Sequence, residues 1–191
     1  MVPPSLHSTT YRITSDSSDS TTFRNGSYRF GASSLYAAGF GAVGLGNARG
    51  TLDLFLELAR RKIPRWGRNP ISGDPIVQVA VAEADTKLES ARVYLLQTLR
   101  EAEQPPTRHD ALSLDQRMKI RAAGTFAIRT ATGVVDRLYE MAGTTSIFDG
   151  NPFERRFRDA HTVSQHLQGR VSHFETVGKH LLGIETEARF V

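Results

Sequence analysis

From about Ser33 onward, apolar residues recur at three- and four-residue intervals, the period of a helix with one buried face. In the first such stretch Leu45, Leu52, Phe55, Leu56 and Ala59 share a side, and the pattern runs to about Lys62, just before Pro64. Asp74-Pro75 reads as a cap followed by proline at the first helical position. After it, Val77, Val81, Ala84, Leu88, Ala91, Leu95 and Leu99 form a seam with alternating steps of four and three, ending before Pro105-Pro106. Such a seam suits packing against neighbouring helices. Ser113 with Gln116 spells a capping box. The inner face behind it is Ile120, Ala127, Ala131, Val134, Leu138 and Met141, and Gly143 supplies the stop. Asn151-Pro152 with Glu154 opens a fourth helix that breaks near Gly169, and Ser172 with Glu175 is expected to cap a last segment ending at Gly183. Long amphipathic helices with short connections predict an all-α fold, an antiparallel four-helix bundle.

Residues 1–32 differ. Ser8 to Thr22 is dominated by Ser, Thr and Asp, a loop-like or disordered composition. Phe23-Arg24 and Tyr28-Arg29-Phe30 flank Asn25-Gly26, a strong hairpin signal. Two strands do not make a stable sheet alone. The division expected is therefore a partly disordered β remnant over 1–32 and a bundle domain over 33–191.

Composition narrows the chemistry. The 191 residues contain no cysteine, which excludes disulfides, thiolate metal sites and cysteine nucleophiles. The net charge of +4 comes from basic residues interleaved with Glu and Asp along the helices, a solvated surface rather than a nucleic-acid stripe. The most apolar run, Leu35 to Gly46, is closed by Asn47 and Arg49 well short of the roughly 20 residues of a membrane span. Met1-Val2-Pro3-Pro4 does not open a secretory leader. Neither nucleic acid nor membrane is expected as a partner, and the cytoplasm is the expected location.

Gly39 to Gly44 spells G-x-G-x-x-G, but inside a helical stretch and with no strand before it. A dinucleotide fingerprint needs that strand, so close helix packing is the better reading. A di-iron bundle requires Glu-x-x-His on two helices, and no glutamate here has histidine three residues on. No metal site is expected. The fourth helix is unusually polar for a bundle element. It carries Arg158, Asp159, His161 and His166 within about two turns. His161 and His166 are five apart and point in different directions. The stripe His166, His173 and His180 is interrupted at Gly169 and reads as coincidence.

Four segments, in order, resemble the carboxy-terminal domain of acyl-CoA-dehydrogenase-like flavoproteins. They are Gly46-Asn47-Ala48-Arg49-Gly50-Thr51-Leu52-Asp53, Leu138-Tyr139-Glu140-Met141-Ala142-Gly143, Arg158-Asp159-Ala160-His161-Thr162 with Gln165-His166, and Gly178-Lys179-His180-Leu181-Leu182-Gly183. The resemblance spans about 34–184. It implies a bundle that associates as a dimer or tetramer. It also implies flavin lying between the bundle and a preceding β-domain, of which residues 1–32 would be the last strands. An isolated bundle is then expected to hold flavin weakly or not at all and to show no turnover.

The resemblance also assigns chemistry. In the family's dehydrogenases a glutamate removes a substrate proton, and the two matching positions here are Leu167 and the neighbourhood of Tyr36. Arg-Asp-x-His followed by a second histidine is instead similar to the monooxygenase branch, which includes aromatic hydroxylases and sulfur-compound oxygenases. That branch uses reduced flavin, FMN or FAD, supplied by a separate reductase. By this resemblance His166 is the catalytic residue, a neutral imidazole accepting the proton of a phenolic substrate, a task suited to histidine. Arg158, Asp159 and His161 support the helix or position flavin. Arg61 would meet a cofactor phosphate, and Gly143, Thr144 and Thr145 would approach the flavin through backbone amides. The alternatives are a non-catalytic oligomerising bundle and an acyl-CoA dehydrogenase.

Overall fold

A computed structural model describes residues 30–104, 111–148 and 150–185. Helix α1 spans Gly31–Arg61, α2 Pro75–Glu103, α3 Leu114–Ala142, α4 Pro152–Gln165 and α5 Ser172–Leu181. No strand occurs among the described residues, and the hairpin expected around Asn25-Gly26 lies outside them.

The expected boundary signals act as their chemistry requires. Asp74 Oδ1 accepts from the Ile76 amide at 2.8 Å, with Pro75 at the first helical position. The capping box at α3 is complete: Ser113 Oγ accepts from Gln116 N at 3.2 Å and Gln116 Oε1 from Ser113 N at 2.9 Å. Asn151 Oδ1 accepts from Phe153 N at 3.2 Å to open α4. Gly143 ends α3 at φ 60°, a left-handed conformation that favours glycine. The first helix begins two residues before the expected Ser33, with Phe30 buried as its N-cap.

Side-chain pairing fixes the topology. Arg49 meets Asp85 and Gly41 faces Leu95, so α1 and α2 run oppositely. Gly41 lies against Gly124 and Ala127, and Gly44 against Ile128 and Ala131, so α1 and α3 run together. Asn47 bonds Arg156 and Gly44 faces Val163, which makes α4 antiparallel to α1. The order is up-down-up-down, with α3 central and exposed along one stripe through Lys119, Phe126, Gly133 and Arg137. Phe55, Leu52, Leu88, Leu95, Ile128, Val135 and Leu138 fill the interior. Val81, Leu56, Leu99 and Met141, expected in the core, are only half-buried at its rim.

The fourth rod is divided where the break near Gly169 was expected. It is two helices, α4 of 14 residues along the second half of α3 and α5 of 10 residues along its first half. A 3-10 turn, Leu167–Gly169, joins their courses. His166 leaves helical geometry at ψ 155°, and Gly169 sits so tightly that a Cβ there would lie 2.6 Å from the Ser164 carbonyl oxygen. The cap expected at Ser172 is not formed. Val171 already has helical geometry and is the N-cap, so Ser172 is inside the helix, and Glu175 pairs with Lys179 at 2.6 Å. Among the described residues no helix is long and apolar enough to cross a membrane.

Candidate functional site

The glycine-rich first half of α1 positions the site. Gly41 and Gly44 bring its backbone onto α3. That contact turns Leu35, Tyr36 and Val43 outward, with Phe40 half-buried between them. The end of α4 delivers His166 onto this surface. The imidazole and the Phe40 ring are stacked, with centroids 4.0 Å apart and planes 7° from parallel. Leu167 is 37% exposed and Tyr36 59% exposed, so neither position given to the dehydrogenases' base by resemblance carries a carboxylate, and both open to solvent beside the stack.

The hydrogen bonding of His166 sets its chemistry. Its Nδ1 accepts the Gln168 amide hydrogen at 3.4 Å. In a neutral ring the proton therefore resides on Nε2, which makes the outward nitrogen a donor. The proton-accepting role that the resemblance implies would need Nδ1 released from this contact or the other tautomer.

Below the stack lies a buried polar cluster. Arg121 of α3, 2% exposed, donates through Nη1 to the Gln168 side-chain oxygen and through Nη2 to the Ser33 carbonyl at 3.5 Å. Burial lowers the pKa of this guanidinium from its ordinary value. His173 is also buried, and its Nε2 lies 2.7 Å from the Leu167 carbonyl oxygen. Burial is the main influence lowering its pKa, and the nearby Arg121 and Arg170 add to it, while the carbonyl contact opposes them. A carbonyl can only accept, so Nε2 of His173 donates.

The other expected residues are distributed as follows. Arg158 pairs with Glu154 at 2.6 Å, and Asp159 lies 3.8 Å from Arg155, all on the exposed side of α4. Neither reaches His166. His161 turns inward, its Nε2 2.8 Å from Asp136 Oδ1, with its ring against Phe157, which in turn meets Tyr139. This set fastens α4 to α3. Arg61 is exposed and beside Glu57. Gly143 lies at the same end, where Lys62 Nζ donates to the Ala142 carbonyl at 2.5 Å. Gly143 donates its own amide hydrogen to Glu140 O, and Thr144 is exposed while Thr145 is half-buried. Phe40 and Arg61 are about 31 Å apart along α1 at about 1.5 Å per residue. One chain therefore holds two separate groups, His166 with Phe40 at one end, and Arg61 with Gly143, Thr144 and Thr145 at the other. His166, His173 and His180 go to three partners: Phe40, Leu167 O and Asp115.

Phe40, Asn47, Arg156, Arg121 and Gln168 were not singled out by sequence. Asn47 Nδ2 donates to the Arg156 carbonyl at 2.7 Å, and the Arg156 guanidinium lies over Gly50, whose missing side chain leaves the space. For Arg121 a signal did exist: it is seven residues before Ile128 and fourteen before Val135, a charge on the apolar stripe of α3.

A profile described as "Acyl-CoA dehydrogenase, C-terminal domain" matches residues 38–170. The chain belongs to the acyl-CoA dehydrogenase C-terminal domain family. Its relatives include an indole-3-acetate monooxygenase of Pseudomonas putida, 30% identical over 139 residues, covering 73% of this chain and 36% of the relative. A FADH2-dependent resorcinol hydroxylase, oxygenase component, of Rhizobium sp. is 26% identical over 158 residues, covering 78% and 39%. In fold, the chain is similar to XiaF from Streptomyces sp., solved in complex with FADH2 and glycerol, with TM-score 0.77 and 20% identity over 84% of this chain and 41% of that one. The chain thus spans between a third and a half of the length of these family members.

Proposed function

We propose that this bundle is the carboxy-terminal part of the oxygenase component of a flavin-dependent monooxygenase acting on phenolic or related aromatic substrates. The observation that carries the reading is the open Phe40–His166 stack, flanked by Tyr36 and Leu167 where a dehydrogenase would need a carboxylate. The relatives whose names specify monooxygenation or hydroxylation support the same branch.

The surface fits one side of a planar site: two stacked rings, apolar neighbours open to solvent, and one hydrogen-bond donor at their edge. Reduced flavin, when bound, would supply the two electrons that activate dioxygen for transfer of one oxygen atom, the other leaving as water. Phe40, Tyr36 and Leu167 would border the aromatic ring of the substrate and keep water from it. His166 Nε2–H would donate to the substrate's oxygen. That donation favours a substrate bound as the phenolate, its proton released to solvent, and so makes the aromatic ring a better nucleophile. Asp136, His161 and Phe157 hold the helix that carries His166.

Arg61 offers a cation, and Thr144 and Thr145 beside Gly143 offer hydroxyl donors, a set suited to a phosphate. Being at the far end of the bundle, this set would serve a cofactor held against a second copy of the chain. A homodimer or homotetramer is proposed accordingly. The outward Val43, Ile76, Val79 and Val93, all more than half exposed, give it apolar surface to bury. A separate reductase supplying the reduced flavin, and a cytoplasmic setting, belong to the same reading.

The test is a chimera in which residues 34–185 replace the matching segment of the P. putida relative. With FADH2, oxygen and indole-3-acetate or a simple phenol, oxygenated product is expected. A chimera that folds and binds flavin but only desaturates acyl thioesters would overturn the assignment.

A further inference from the structure

The turn that carries His166 is held from beneath by groups that the proposed chemistry does not use. Gln168 is 5% exposed, and its side-chain oxygen accepts from the Arg121 guanidinium. His173 donates to the Leu167 carbonyl, one residue away, and Gly169 packs closely against the Ser164 backbone. The backbone amide of this same Gln168 supplies the hydrogen to His166 Nδ1. At 3.4 Å that hydrogen bond is long, so it depends on how firmly Gln168 is placed.

Burying an arginine inside a helical bundle is costly, and apolar residues of similar volume generally stabilise such sites at least as well. Helix stability alone therefore gives no reason for Arg121 on the stripe shared with Ile128 and Val135. A histidine's tautomer, by contrast, is set by the hydrogen bond that its other nitrogen makes. Arg121 holds the Gln168 side chain, which fixes where the Gln168 amide points, and the amide occupies Nδ1.

We propose that the buried Arg121–Gln168 contact is a positioning device that locks His166 in the tautomer with its proton on Nε2. Arg121 and Gln168 are positioning residues, acting through His166 without touching substrate. The importance of that tautomer for hydroxylation rests on the proposed function, but the tautomer itself does not.

The experiment is nitrogen-15 NMR of the histidine rings in the 191-residue chain at about pH 8.5, well above the ordinary histidine value near 6.5. A nitrogen bearing hydrogen and one without it resonate far apart, so the tautomer is read directly. In the wild type His166 Nδ1 should appear as the unprotonated nitrogen and Nε2 as the protonated one. Phe40→Leu assigns the His166 ring protons, which lose the upfield shift of the stack. Gln168→Met removes the acceptor for Arg121 while keeping length. In it the two His166 nitrogens should move toward the values of a short unstructured histidine peptide, with His161 and His180 unmoved. Gln168→Glu restores an acceptor and should restore the wild-type spectrum. Two results would overturn the proposal. One is a wild-type spectrum already at the peptide values, which needs no variant to fold. The other is a helical Gln168→Met protein with the wild-type His166 spectrum. Neither readout involves turnover, so failure here is separable from failure of the monooxygenase assignment.

Discussion

Gly124→Ala should destabilise the bundle, although the same change at the exposed Gly46 should stabilise it. A Cβ at Gly124 would lie 2.6 Å from the Ala37 carbonyl oxygen and 3.0 Å from its carbon, both backbone atoms of α1. No rotamer change relieves that contact, so α1 and α3 must separate by roughly half an ångström or more. A gap of that size forfeits a quarter to a half of each dispersion contact along the seam. The seam includes the Gly41 contacts with Gly124 and Ala127 and the Gly44 contacts with Ile128 and Ala131. Overpacking of this kind costs up to about 3 kcal/mol. The helix preference of alanine over glycine returns about 1 kcal/mol, leaving a net loss of about 2 kcal/mol. In a chain of this size that lowers Tm by roughly 4–8 °C. Gly46→Ala is the control: it is exposed in α1 with nothing within 4 Å of its added Cβ. It should gain about 0.5–1 kcal/mol. Thermal melts followed by circular dichroism at one fixed protein concentration measure both. A Gly124→Ala Tm equal to or above wild type would refute the close-packing account of the α1–α3 seam.

Two further outcomes follow from the interior and the surface. His173 is neutral when buried and its pKa lies below the ordinary 6.5. The unfolded chain therefore binds the proton more readily, and stability should fall as pH drops below about 6.5. His173→Gln should flatten that part of a denaturation series run from neutral to acid pH, and an unchanged slope would contradict the burial argument. The outward apolar residues of α1 and α2 predict a dimer or tetramer by light scattering at tens of micromolar, burying well over about 1,000 Å². A monomeric mass would count against it.

Much of the bundle was legible because its signals are local. A capping box, an Asp-Pro start and a terminating glycine each act within four residues, and the α2 seam is a single-helix periodicity. The division of the fourth rod was only partly visible. Gly169 marked the break, but whether Ser172 or Val171 caps α5 depends on how the turn seats against Ser164, a tertiary contact. The site shows the same split. His166 could be found from its segment, but its orientation depends on Phe40, more than a hundred residues earlier, and on the Gln168 amide. That amide reaches Nδ1, a contact that the segment alone does not reveal. The resemblance gave Arg61 and Gly143 a cofactor role, but only the length of α1 places them at the opposite end from His166.

The central claim is that His166 serves oxygen transfer to a substrate, and the most direct measurement is the partition between oxygenated product and hydrogen peroxide. In the chimera carrying residues 34–185, supplied with reduced flavin, His166→Ala should leave flavin binding nearly intact. Product formation should fall about 10²–10³-fold, the range for loss of a hydrogen-bond donor to a developing oxyanion, while peroxide rises to account for the oxygen consumed. A His166→Ala chimera that forms product at the unsubstituted rate, with no added peroxide, would contradict the account.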